Sequence, residues 1–168
     1  MRAELLYDAK AELGESPVWD SRAQTLYWLD ILGKRIYADA DKIAELDEFI
    51  GCLAVRQRGG LILATRLSFW TFDLNSSSAT FLAAPVDEPT SNRFNDGKCD
   101  PRGRFLAGTM NLNEKDPTGS LYSFDGKSIT KLLSDVTISN GLTWSADGKV
   151  FYYIDTPTRQ VKAFDYDL

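Results

Sequence analysis

Glu15 in GES and Asn140 in SNG each stand just ahead of a short apolar strand signal, and NRFND places Arg93, Asn95 and Asp96 in the corresponding position of another segment. A carboxylate and an amide carbonyl brought to one point suit a hard divalent cation such as calcium, magnesium or manganese, with zinc possible through oxygen ligands. Two protein oxygens are too few for a complete site, and Asp96 is the nearest further carboxylate. Taken singly, each residue has a plainer reading: Glu15 as a solvated loop charge, Asn140 as a turn residue before Gly141, Arg93 as half of a surface ion pair. Equivalent placement in different repeats weakens those readings, because it converges the side chains on one axis. The chain contains no histidine, which excludes a Ser-His-Asp triad, a Cys-His pair and every His-ligated metal centre. Chemistry here must run on carboxylates, amides, Lys, Arg, Tyr or an oxygen-bound metal.

The elements that position these residues read as antiparallel β throughout. Short runs rich in Val, Ile, Leu, Tyr, Phe and Trp alternate with Gly, Asp, Asn and Ser clusters, and no long segment carries a clean helical period. One pattern recurs four times: an apolar strand, a polar turn, a second aromatic strand, then a third strand ending in Asp. The copies cover residues 14–40, 50–74, 94–125 and 138–167, with central turns near Arg22, Arg58, Arg102 and Asp147, a spacing of about 36 to 45 residues that matches propeller blades. One small sheet cannot cover both of its faces, so successive sheets must stack around an axis. Periodicity alone allows a closed four-bladed ring or a portion of a larger one. The charged stretch ADADKIAELDEF, residues 38–49, reads as an irregular connection, and the aspartates of SADGK and DPRGR read as hairpin chemistry. Trp19, Trp28, Trp70 and Trp144 are expected in the inter-blade core.

Composition narrows the partners. Of the 168 residues, 43% are hydrophobic and 26% charged, as in an ordinary globular domain, and the net charge of −5 argues against nucleic acid or an anionic membrane surface. No run approaches the roughly 20 apolar residues of a membrane span, and the start lacks a signal peptide's apolar run, so a cytoplasmic location is expected. Cys52 and Cys99 read as reduced core residues, and NSS at Asn75 as a polar turn.

The motifs LGESPVW, GCLA, NRFNDGKCDPRGRFLAGTM, GSLYS, ISNGLTWS and FYYIDT followed by FDYD together resemble the senescence marker protein, regucalcin and gluconolactonase family across essentially the whole chain. The resemblance implies an all-β, six-bladed β-propeller of which only about the first three to four blades are present. It implies hydrolysis of sugar lactones assisted by one divalent metal ion, calcium, zinc, manganese or magnesium. Glu15 and Asn140 match its metal-binding positions, Arg93 and Asn95 match substrate-holding positions, and Asp96 follows as an aid to that binding. A family substrate contact is a Glu a few residues after GTM; here NLNE puts Asn113 at the aligned place and Glu114 beside it. The family's third metal ligand, an Asp also proposed as general base, would lie beyond Leu168, and the stretch around Glu4 to Tyr7 would pair in a last blade. The rival expectations are a regucalcin-like metal-binding protein without turnover, an inactive fragment, and self-association through exposed sheet edges.

Overall fold

The computed structural model describes residues 2–167, and every ordered element among them except one short 3-10 turn is a β-strand. The first sheet is β1 (Gly14–Asp20), β2 (Thr25–Asp30), β3 (Arg35–Ala38) and β4 (Asp41–Glu45), hydrogen-bonded in chain order. The second is β5 (Ile50–Val55), β6 (Leu61–Thr65), β7 (Phe69–Asp73) and β8 (Ser78–Ala83). The third is β9 (Asn92–Cys99), β10 (Phe105–Asn111), β11 (Gly119–Phe124) and β12 (Ile129–Val136). The fourth has three strands, β13 (Ser139–Trp144), β14 (Val150–Asp155) and β15 (Gln160–Asp165). All pairings are antiparallel meanders, and the innermost strands β1, β5, β9 and β13 lie side by side in that order. The architecture is an incomplete β-propeller of four consecutive blades.

Each of the first three blades therefore has a fourth, outer strand beyond the three read from the repeats. The stretch expected as an irregular connection contains β4, whose charged residues lie at an edge where pairing on one side suffices. Residues 2–13, by contrast, hold no strand.

Apolar alternation assigns each strand face to a neighbouring blade. Tyr27, Leu29 and Ile36 meet Ile50, Leu53 and Phe72 between the first and second sheets. Cys52, Ala54 and Phe69 meet Phe94, Phe105 and Phe124 between the second and third. Leu106 and Leu121 meet Leu142, Phe151 and Tyr153 between the third and fourth. Strands β5 and β10 thus serve a core on both faces, which is why IGCLAV and FLAGTMN read as nearly unbroken apolar runs. The outer faces of the first and fourth sheets have no such neighbour among the described residues. Trp19 is accordingly 54% exposed, contrary to its expected place in the core, and Trp28 stacks on Tyr37 at 4.1 Å on the face turned away from the second sheet. Trp70 and Trp144 do pack against inter-blade clusters.

The lead-in to an inner strand is anchored by a carboxylate at the end of the strand beside it. In the first blade, buried Asp30 accepts the N–H groups of Glu12 (3.1 Å), Leu13 (3.0 Å) and Gly33 (3.1 Å). In the fourth, Asp155 accepts those of Thr137 (3.1 Å) and Ile138 (2.8 Å). Burial pushes the Asp30 carboxyl up, but the N–H groups of Leu13, Gly33 and Glu12 outweigh it and hold the group below its ordinary value. A carboxyl depressed in the folded state contributes stability that is present above its unfolded value near pH 4 and is lost as pH falls through the folded one. Asp30→Ala is therefore expected to cost about 1–3 kcal/mol at neutral pH through its orphaned donors. The gap to the parent should narrow as pH falls below 4; urea unfolding of both proteins across pH 7 to 3 checks it.

Candidate metal and substrate site

At the start of every inner strand the ladder carries extra backbone. In β1, Ser16 and Pro17 oppose the single Trp28; in β9, Asn95 and Asp96 oppose the single Gly108. In β5 and β13 the register skips at Gly51 and Gly141. Bulges of this kind bend a strand and re-aim its side chains, and here one falls on Asn95 and Asp96 while two others directly follow Glu15 and Asn140. Glu15, Asp96 and Gly141, from three of the four blades, share the lining of one cleft.

Glu15 sits on β1 immediately before the bulge. Its neighbour Ser16 has φ 54, a left-handed conformation that costs a non-glycine residue roughly 1–2 kcal/mol. The Ser16 Oγ accepts the Leu53 N–H at 2.9 Å, so the strained turn is fastened to the second blade. The Glu15 side chain is exposed and makes no hydrogen bond or ion pair among the described residues. It lines a cleft of about 520 Å³ together with Ser16 and Leu53, with Asp96 and Lys98 from β9, and with Gly141 from β13.

Strand β9 supplies the opposite wall. Arg93 is 5% exposed, and its Nη1 donates to the Phe94 carbonyl at 3.0 Å and to Asn95 Oδ1 at 2.7 Å. Burial pulls the guanidinium pKa down, while the charges of Glu114 and Glu15 oppose that pull, so Glu15 and Arg93 share one electrostatic neighbourhood. Asn95 Nδ2 donates to the Ser139 carbonyl at 2.9 Å. Asp96 Oδ1 accepts the Gly97 N–H and its Oδ2 the Gly141 N–H, each at 2.8 Å. Asn140, half-buried on β13, lies between those two tethered residues, and its Oδ1 accepts only the Gly141 N–H at 3.1 Å.

Asn113 stands apart. Its Oδ1 accepts the N–H groups of Lys115 and Asp116, and its Nδ2 donates to Asp116 at 2.6 Å, so the side chain closes its own turn. The adjacent Glu114, at φ 62, is the residue of that loop whose charge acts on Arg93.

Two contributors escape a reading of the sequence. One is Ser16, whose role depends on a backbone conformation that GES does not announce. The other is Glu88, whose buried carboxylate accepts Asn92 Nδ2 at 2.7 Å, the Thr109 hydroxyl, and the Tyr122 hydroxyl at 2.5 Å. Asn92 also donates to the Thr118 carbonyl at 2.9 Å, so Glu88 braces the beginning of the strand that carries Arg93. In DEPTS it reads as a solvated loop residue, because only tertiary packing buries it.

Glu15 and Asp96 bring carboxylate oxygen to the cleft, which suits a hard cation in kind, while the Lys98 ammonium and the Cys99 thiol also line it. Glu15 keeps its full accepting capacity and Asn140 Oδ1 keeps a lone pair. The number is short of a cage: among the described residues, no three Asp, Glu or Cys side chains gather at one point.

A family model described as the SMP-30/Gluconolactonase/LRE-like region matches residues 13–168. Regucalcin from Danio rerio is 39% identical over 176 residues, covering all of this chain and 59% of the relative. The proposed sugar lactone lactonase YvrE of Bacillus subtilis is 38% identical over 174 residues, covering 99% of this chain and 59% of the relative. Among solved structures, the calcium-binding protein regucalcin from Agrobacterium tumefaciens superposes with a TM-score of 0.86 at 27% identity, over 92% of this chain and 54% of that one. The chain thus spans about three fifths of the curated relatives it matches.

Proposed function

The chain belongs to the SMP-30/gluconolactonase/LRE-like family, and from that premise we propose that it forms part of a divalent-metal-dependent hydrolase of sugar lactones. The observation that carries the reading is the cleft in which the unengaged carboxylate of Glu15 faces the Asp96–Gly141 junction, next to a buried guanidinium. Glu15 and Asn140 would hold the ion, calcium, zinc, manganese or magnesium, whose chemistry when bound would be Lewis-acid polarisation of the lactone carbonyl and of water. Arg93, having spent only Nη1 on protein acceptors, offers its remaining N–H groups to the oxygens of the sugar. Its burial strengthens those hydrogen bonds, since little water competes for them. Glu114, whose charge acts on Arg93, would supply a further acceptor for sugar hydroxyls beside Asn113. The general base and the remaining blades belong to this proposal through the relatives' greater length. No helix among the described residues is long and apolar enough to cross a membrane.

The test is lactone hydrolysis followed by acid release at constant pH, for this chain and for the intact reading frame. It is run after chelation and again with calcium, manganese, zinc or magnesium restored. Turnover by the intact protein that chelation removes and one of these ions restores is the expected result. A rate indifferent to metal, or no rate with any of the four ions, defeats the proposal. The second reading, binding of a cation without turnover, is favoured by the Agrobacterium relative's description as a calcium-binding protein. It is the outcome in which the intact protein takes up the ion but never releases acid.

A further inference from the structure

Resting on the lactonase reading above, we propose that Glu88 and Asn92 are positioning residues for the sugar: through Thr118 and Asn111 they fix both ends of the 112–118 loop to β9, and thereby hold Glu114 in its place relative to Arg93.

The loop has little of its own to hold it. Residues 112–118 join β10 to β11 and are all exposed, and Glu114 among them takes a left-handed φ of 62. The Asn113 N–H donates to Asn111 Oδ1 and the Glu114 N–H to the Asn111 carbonyl, each at 3.0 Å, which closes a local turn without placing it against β9. The placement comes from two tethers beside Arg93. At the start of the loop, the Leu112 N–H donates to the Ser91 carbonyl at 2.9 Å and Asn111 Nδ2 to the Ser91 hydroxyl at 3.2 Å. At its end, the Thr118 hydroxyl donates to Asn92 Oδ1 at 2.8 Å, while Asn92 Nδ2 donates to the Thr118 carbonyl at 2.9 Å. Asn111 Nδ2 also donates to Thr118 Oγ1 at 3.0 Å, which joins the two tethers.

Glu88 sets the direction of this chain of bonds. A carboxylate only accepts, so it turns the nitrogen of the Asn92 amide toward itself at 2.7 Å and leaves Oδ1 facing the Thr118 hydroxyl. Thr118 then gives its proton to Asn92, which leaves its oxygen to accept from Asn111. Glu88 cannot swing away, because the Thr109 and Tyr122 hydroxyls also donate to it from β10 and β11. Glu88, Asn92, Thr109 and Asn111 are all buried, so little water competes for these bonds. Asn92 directly precedes Arg93, and the loop it anchors carries the Glu114 charge that favours the Arg93 cation. One buried carboxylate thus fixes two groups placed at the sugar.

Loosened sugar contacts weaken ground-state and transition-state binding alike, which raises KM and leaves kcat. The measurement is hydrolysis of gluconolactone by the intact gene product with metal restored, alongside its urea midpoint. Glu88→Ala should raise KM by as much as about 100-fold, the effect of a misplacement of about 1 Å, with kcat close to the parent's. Glu88→Gln, whose oxygen can face Asn92 and Thr109 while its amide turns to the Tyr122 oxygen, should restore KM. Thr118→Val, which removes only the bridging hydroxyl at an exposed position, should raise KM in the same direction. Asp100→Ala is the control for lost stability. Its carboxylate accepts the Arg102 and Arg104 N–H groups just past the other end of β9, and its removal should lower the urea midpoint without moving KM. Hydrogen exchange at the Leu112 and Asn113 amides should quicken in Glu88→Ala and Thr118→Val alone, a readout independent of metal and turnover. Quickened amides with a parental KM overturn the positioning role, and unchanged amides overturn the tethers. A KM raised as far by Asp100→Ala overturns it too, since lost stability then accounts for the effect. An intact parent that hydrolyses nothing with any of the four ions defeats the lactonase reading itself, and with it the role toward the sugar. If Glu88→Ala fails to fold, Thr118→Val decides alone: a raised KM with quickened amides supports the tether, and a parental KM refutes it.

Discussion

If the proposed metal-dependent lactone hydrolysis holds, Glu15→Gln is expected to lower it by at least about 100-fold while leaving the fold intact. Changes that only orient a ligand already cost about 10- to 100-fold in metal affinity or activity, and Gln at this position removes the sole carboxylate at the cleft that protein donors leave unclaimed. The variant keeps one carbonyl oxygen and the side-chain volume, but it loses the negative charge that would attract a divalent ion and that favours the charged form of Arg93. Because the side chain is exposed and unpaired, its replacement should shift stability by no more than about 0.5 kcal/mol. Initial rates with saturating metal, paired with a urea midpoint, give both halves of the result. A variant with the parent's rate removes Glu15 from the site.

The largest effect on stability is expected at Phe69. Its ring is wholly buried between the second and third blades, stacked on Phe124 at 5.0 Å and in contact with Phe94 at 4.9 Å and Phe105 at 6.0 Å. Truncating a buried phenylalanine to alanine costs about 3–5 kcal/mol, because the cavity adds to the lost transfer energy. Against the 5–15 kcal/mol that holds a typical domain folded, that is a large share. Phe69→Ala should thus unfold at far lower urea concentration than the parent. Phe81→Ala, at a ring 53% exposed and edge-on to Trp70, should shift the midpoint only slightly. Equal shifts at the two positions would mean that the 2–3 interface is not the keystone its packing indicates.

The features legible in the sequence are those fixed by local chemistry. The hairpin turns at DPRGR and SADGK follow from Gly, Pro and Asp, and the structure has Asp100 and Asp147 accepting turn N–H groups at 3.0 and 3.2 Å as expected. Among the inner strands, β5 follows from its apolar run IGCLAV, and the others from their place in the repeat. The outer strands β4, β8 and β12 were obscured because edge strands need only one paired side and few apolar residues; DKIAE and ITKLLSDV look like connections until something pairs with them. At the site, position within the repeat was enough to single out Glu15, Arg93 and Asn140. It could not reveal that Asn95 and Asp96 face backbone, that Asn113 closes its own turn while Glu114 acts on Arg93, or that Ser16 takes a left-handed turn. Each of those depends on a contact between blades or on a dihedral, neither of which is written in residue order.

Three apolar cores join the four sheets, so among the described residues the second and third sheets are packed on both faces. Glu15 belongs to the first sheet and Asn140 to the fourth. A cation shared between them would tie together two sheets that no apolar core joins directly, so occupancy and the cohesion of the stack would be linked quantities: the tighter the ion is held, the more the four sheets hold as one body.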